Sequence, residues 1–192
     1  MTRTLTLATT NLGKVQDWSA LLSRAGWVAQ AMNTPQVDET GNTPLDNARL
    51  KARGVGGVGG WVLGDDVALH VDALDGKPGL HLKRWAMSIG GWRAAREALG
   101  ALDGSGARFV IGVAVAEGAR LIAETEVEVV GVVRRCADLD EGPGVEPCFV
   151  PLDADGSLSR LEGRARDTHH YRNRAWAALL PQLRAAIGED GP

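Results

Sequence analysis

Cysteine is scarce in this chain: Cys136 and Cys148 are the only two among 192 residues. Their spacing fits neither a zinc ligand set nor a C-x-x-C redox motif. With so few thiols, a reducing cytoplasm is the simplest home. An excess of one charge is missing as well, since 21 basic against 24 acidic residues leave a net charge of −3. That balance lacks the electrostatic footprint of a polynucleotide-binding protein, so a polynucleotide partner is not expected. Long apolar runs are absent, and the longest, Phe109 to Ala116, is far short of a bilayer span. No membrane partner is expected. Met1 to Leu7 carries one charge and no apolar core of signal-peptide length. No internal repeat is visible. What remains is an ordinary globular composition, 44% hydrophobic and 23% charged. The length allows a real core and suits a single domain over 1–192.

In chain order, Leu5, Leu7 and Ala8 read as a buried first strand that ends in Thr9-Thr10-Asn11-Leu12-Gly13-Lys14. Val15, Trp18, Leu21, Leu22 and Ala25 then recur at helical spacing, with Gly26 as the stop. A polar loop opening a helix, with one lysine, suits an anion held by backbone N–H groups and the helix dipole, although an ordinary turn with a solvated lysine has the same sequence. Trp27 to Met32 reads as a second strand, broken at Asn33-Thr34-Pro35. Thr43 is a natural N-cap and Pro44 a natural first helical residue, which predicts a short helix from Pro44 to about Arg53. Asp46 and Asn47 fall where capping residues belong, so capping is their simplest role. Gly54 to Gly60 contains a literal G-x-G-x-x-G. The dinucleotide fingerprint needs a strand before those glycines and a helix after, and the order here is reversed.

Val62 and Leu63 lead through Gly64 to two adjacent carboxylates, Asp65 and Asp66, at what reads as a strand end. Neighbouring side chains on extended backbone point to opposite faces, so one of the two faces any given pocket unless the chain turns there. Such acids suit a hard cation, since Mg²⁺ takes oxygen ligands beside one or two carboxylates and substrate phosphate. A polar strand-to-loop corner is the plainer alternative. Further on, Asp75 to Gly79 is a turn cluster, Trp92 to Leu99 a helix, and Phe109 to Ala116 with Arg120 to Arg134 a long hairpin. Glu124, Glu126 and Glu128 alternate on its second arm, which predicts a solvated sheet face. Glu141 to Pro147 is a loop and Cys148-Phe149-Val150 a short strand. The basic tail from Arg164 turns helical, with Pro181 expected to kink or divide the helix and His169-His170 at its entry. Strands, helices and one hairpin together predict an α/β fold with a mixed sheet.

Five elements in this order resemble the inosine triphosphate pyrophosphatase family. Thr9 to Lys14 matches its T-x-N-x-x-K element, and Glu39 followed by Asp46 to Ala52 matches the acid before E-N-A-x-x-K-A. Asp65 to Leu74 stands for D-D-S-G-L-x-V-D-A-L and runs on through Gly76-Lys77-Pro78-Gly79 to Arg84-Trp85. Gly142 to Phe149 stands for G-F-G-Y-D-P-x-F, and His170 to Ala175 for S-H-R-x-K-A. The resemblance implies an elongated mixed sheet flanked by helices and a cytoplasmic homodimer. It implies Mg²⁺-dependent hydrolysis of a nucleoside triphosphate to monophosphate and pyrophosphate, with ITP, dITP or XTP, purines carrying a 6-oxo group, as default substrates. Carried over by position, Glu39 and Asp66 hold the metal or orient water, Asp65 assists, and Lys51, catalytic beside them, also grips the triphosphate. Thr9, Asn11 and Lys14 bind the triphosphate, while Arg84, Glu146, Arg166, Tyr171 and Arg172 fall on the nucleotide side.

Departures from the family pattern cluster on the base side. Pro143 and Val145 replace two aromatic residues, Glu146 lengthens an aspartate, and Tyr171 stands where the family has histidine. Ser-Gly beside the acids is Val67-Ala68 here. Two alternatives follow: the same chemistry on an unusual nucleotide of a specialised pathway, or a nucleotide-binding protein without catalysis. Altered polar complementarity on the base side would act on substrate choice more than on reaction type.

Overall fold

The structure is a computed structural model that describes residues 3–32, 37–55, 59–136, 139 and 142–189. The expected break at Asn33-Thr34-Pro35 and the centre of the glycine run lie outside the described residues. By its internal contacts the chain divides into two units. The first comprises Met1–Asp66, Ile111–Val127 and Ala175–Pro192, and the second Val67–Val110 and Glu128–Arg174.

In the first unit, β1 (Arg3–Leu7) runs parallel to β2 (Trp27–Ala31), with Arg3 opposite Trp27 and Leu7 opposite Ala31. On its other side β1 runs parallel to β3 (Trp61–Val71), with Leu5 opposite Trp61 and Leu7 opposite Leu63. Leu5, Thr6 and Leu7 are all buried, as expected of a strand covered on both faces. Helix α1 (Leu12–Arg24) connects β1 to β2, and α2 (Pro44–Gly54) precedes β3. Trp18 of α1 and Trp27 of β2 each meet Trp176 edge to face, with ring centroids 6.4 and 6.5 Å apart. Trp176 belongs to α6 (Tyr171–Ala186), which continues past Pro181 as one helix and is not divided there.

Helix α2 comes unusually close to the sheet because the residues between them are small. Ala48 and Ala52 pack on Ala114 and Ala116 of β5 (Gly106–Glu117). At Gly64 of β3, a Cβ would lie 2.8 Å from both Ala52 N and Lys51 Cβ and would overlap the Ala48 carbonyl. Only glycine fits there. Two ties hold the helix from β6 (Arg120–Val133). Arg49 donates from Nε and Nη2 to the Glu124 carboxylate at 2.7 Å each, and Glu126 accepts from the Leu45 N–H at 3.2 Å. The glutamate row faces solvent as expected, with Glu126 and Glu128 exposed and Glu124 half-buried, and two of its three acids also hold α2.

The second unit contains β4 (Pro78–Gly79), antiparallel to β3, then α3 (Leu82–Ser88) and α4 (Trp92–Gly100). It also holds β7 (Phe149–Pro151), antiparallel to β6, and α5 (Gly163–His169). Phe109 lies against Phe149 and Tyr171, at centroid distances of 4.9 and 5.1 Å. Cys136 and Cys148 form a disulfide with Cα atoms 5.1 Å apart, a pairing that their lack of a metal or redox motif did not suggest. The seven strands follow the order β2-β1-β3-β5-β6-β7, with β4 paired to β3. The expected mixed sheet is thus observed.

Candidate active site

Asp65 and Asp66 do not sit at a strand end. β3 continues through them to Val71, and both are buried in mid-strand. Their carboxylates meet different helices, as alternation along an extended chain requires. Asp66 turns to α2, where Asn47 Nδ2 donates to Oδ2 at 2.8 Å and Lys51 Nζ to Oδ1 at 3.1 Å. Asp65 Oδ2 is 3.2 Å from Lys14 Nζ on α1. Both ammonium groups also donate to the Asp65 backbone carbonyl, Lys14 at 3.2 Å and Lys51 at 3.1 Å. Lys51 further pairs with Glu39 Oε1 at 2.9 Å.

Sequence and packing explain this convergence. Thr43 accepts from the Asp46 N–H at 3.1 Å and starts α2 at Pro44, as expected. Asn47, Ala48, Lys51 and Ala52 then share one face, and the Gly64 contact presses that face onto β3. Asn47 is more than a capping residue. It is buried, accepts from the Gly41 N–H at 2.8 Å and donates to Asp66, so it joins the loop after Glu39 to the acid. Its position one helical turn before Lys51 is the sequence signal that marks it. Asp46, by contrast, makes an outer ion pair with Arg49 at 3.2 Å.

Burial works against the charge of Lys51, but Asp66, Glu39 and Asp65 outweigh it and hold its pKa above the ordinary lysine value. Among the described residues Lys14 and Lys51 pair with three carboxylates, Glu39, Asp65 and Asp66. Among the described residues no set of three or more His, Cys, Asp or Glu is gathered to hold a metal. An all-oxygen group with one or two carboxylates on offer still fits Mg²⁺, which relies on waters and phosphate for the remainder. At the start of α1, Asn11 Oδ1 accepts from the Gly13 and Lys14 N–H groups at 3.0 and 3.4 Å, and Thr9 Oγ1 accepts from the Asn11 N–H. The backbone anion site expected there is thus already filled by the Asn11 side chain, and the Lys14 side chain carries the positive charge.

In the second unit Glu146, Tyr171 and Arg172 come together, and His170 joins them. The Tyr171 hydroxyl donates to Glu146 Oε1, and Arg172 Nη1 donates to the Tyr171 oxygen at 3.2 Å. His170 Nε2 is 3.5 Å from Glu146 Oε2, and its ring stacks on Tyr171 with centroids 4.5 Å apart. All four are buried. Burial pushes the Glu146 carboxyl up, but His170, Arg172 and Tyr171 outweigh it and hold it below the usual carboxylate range. His170 looks like a helix-entry residue in the sequence and does precede α6, yet it is fully buried against an acid. Arg84 is exposed on α3 and Arg166 half-buried on α5.

Residues 5–182 match the sequence profile of the Ham1 family. The chain belongs to the Ham1 family. The dITP/XTP pyrophosphatase of Gloeobacter violaceus is 40% identical over 185 residues, 94% of either chain. One of the same description from Streptomyces coelicolor is 31% identical, covering 98% of this chain and 100% of its own. Among solved structures, the Mycobacterium abscessus nucleoside-triphosphatase (dITP/XTP pyrophosphatase) matches with a TM-score of 0.65 and 32% identity, over 94% of this chain and 100% of that one. The Staphylococcus aureus Ham1 protein shares the fold at a TM-score of 0.74 and 22% identity, over 98% of this chain and 100% of that one. The resemblance drawn from the five sequence elements is therefore borne out as Ham1 membership.

Proposed function

We propose that this chain hydrolyses dITP, XTP and related purine triphosphates with a 6-oxo group to the monophosphate and pyrophosphate. The observation that carries this reading is the Lys51 ammonium, shared by Glu39, Asp66 and the Asp65 carbonyl, with Lys14 on the same carbonyl. In the reaction a water oxygen bonds to the α-phosphorus and its proton passes to solvent, the bond from that phosphorus to the α–β bridging oxygen breaks, and pyrophosphate leaves with the electron pair. Lys14 and Lys51 supply fixed positive charge where negative charge accumulates, with Thr9 and Asn11 beside them at the start of α1. Glu39 and Asp66 would hold Mg²⁺, Asp66 also orients the water, and Asp65 keeps Lys14 in place. Bound Mg²⁺ would neutralise phosphate charge and sharpen the water as a nucleophile. Glu146, Tyr171 and Arg172 recognise the base, and Arg84 and Arg166 contribute to nucleotide binding.

The reading treats 1–192 as one functional domain acting as a cytoplasmic homodimer. A cytoplasmic setting makes the Cys136–Cys148 bridge a target for reduction by the thiol pool. The test is pyrophosphate against orthophosphate release, with Mg²⁺, over inosine, xanthosine, guanosine, adenosine and pyrimidine triphosphates. Pyrophosphate release concentrated on the 6-oxo purines is expected, with turnover of Asp66→Asn reduced at least about 100-fold while its fold is kept. Near-normal turnover by Asp66→Asn, or silence across the panel, would overturn the assignment.

A further inference from the structure

We propose that Arg96 is a positioning residue for base recognition: from α4 it holds the loop that presents Glu146. Arg96 is buried. Its Nε donates to the Gly144 carbonyl at 2.7 Å, Nη1 to Leu139 at 2.5 Å and Nη2 to Gly142 at 2.5 Å. Three carbonyls of one loop thus converge on one planar guanidinium, whose rigid fork of donors suits them as a flexible lysine would not.

The loop is shaped to make that convergence possible. Gly142 and Gly144 both have positive φ, 83° and 51°, conformations that side chains rarely adopt. From the last clamped carbonyl the chain needs only Val145 to reach Glu146, whose N–H bonds the Pro143 carbonyl at 3.2 Å. The Cys148 Sγ lies 3.8 Å from the Arg96 backbone carbonyl, so the far end of the Glu146 turn packs against the same residue. Moving the fork moves the carboxylate that Tyr171, His170 and Arg172 all face.

Arg96 acts through the loop that carries Glu146, the acid on which Tyr171, His170 and Arg172 converge. Its effect therefore falls on recognition of the base and not on the bond being broken. This rests on the proposed pyrophosphatase reading, in which Glu146 faces the base.

The test uses the full chain with Arg96→Met and Arg96→Lys, each first checked for a native circular dichroism spectrum. For Arg96→Met, KM for dITP should rise about tenfold or more, as loss of charged hydrogen bonds implies, with kcat within about twofold. The inhibition constant of inorganic tripolyphosphate, which has no base, should stay at the wild-type value. Arg96→Lys should recover part of the loss. Tyr171 is the only tyrosine, so [ζ-¹³C]tyrosine labelling yields one resonance that reports its bond to Glu146 without any substrate. That resonance should move in Arg96→Met and move less in Arg96→Lys. An unmoved resonance in a folded variant overturns the proposal, as does a tripolyphosphate constant that rises in step with KM. If the wild type does not hydrolyse dITP, the enzymatic reading fails, and the tyrosine resonance still decides whether Arg96 sets Glu146. If Arg96→Met does not fold, the resonance and the KM-to-kcat split of Arg96→Lys decide both points.

Discussion

Glu146 is kept ionised by its neighbours against the cost of burial, and this has a sign that can be measured. Its folded pKa lies below the value of the unfolded chain, near 4.3 for an ordinary glutamate. The group therefore contributes stability above about pH 4.3 and loses it as pH falls through the lower folded value. Thermal melts of the wild type should show a drop in Tm below about pH 4.3. Glu146→Gln should flatten that part of the curve while lowering Tm at neutral pH, because the buried Arg172 loses its counter-charge. Parallel curves for the two proteins would show that Glu146 carries no such linkage. The position of Glu146 is legible in the sequence as the lengthened acid of one element, and Tyr171 as the altered residue of another. Their direct bond is not, since 25 residues separate them and only tertiary folding brings the hydroxyl to the acid.

At the scale of elements, α2 governs the chemistry of the first unit. It brings Asn47 and Lys51 to Asp66 only because Gly64 lets its backbone approach β3. Gly64→Ala should cost about 1–3 kcal/mol in chemical denaturation, as overpacking of a filled interior does. Turnover should fall with it, since a shifted α2 carries Lys51 away from both acids. Full activity with unchanged stability would show that the helix can yield at that point without moving its polar face. The beginning of α2 is plain in Thr43-Pro44, because capping is local chemistry. The tie from Arg49 to Glu124 is not, since alternation identifies β6 as a strand and says nothing of the helix its acids meet. For the same reason Asp65 and Asp66 read as a strand end: two adjacent charges look like a surface corner until Lys14 and Lys51 supply their partners.

At the scale of the molecule, the mixed α/β architecture is legible from strands, helices and one hairpin, whereas the strand order depends on pairings between distant segments. The first unit takes its stability in part from the edge-to-face contacts of Trp176 with Trp18 and Trp27. Trp176→Ala should cost about 3–5 kcal/mol in urea unfolding, the range for truncating a large buried aromatic. A loss under about 1 kcal/mol would mean that the neighbouring rings collapse into the space. The same three rings bear on how the chain is made. Trp18 and Trp27 leave the ribosome early, but Trp176 follows nearly 150 residues after Trp27, and synthesis proceeds at about 5–20 residues per second. For the seconds in between, the nascent first unit exposes the apolar faces that α6 will cover, which makes it a client for chaperones throughout most of its own translation.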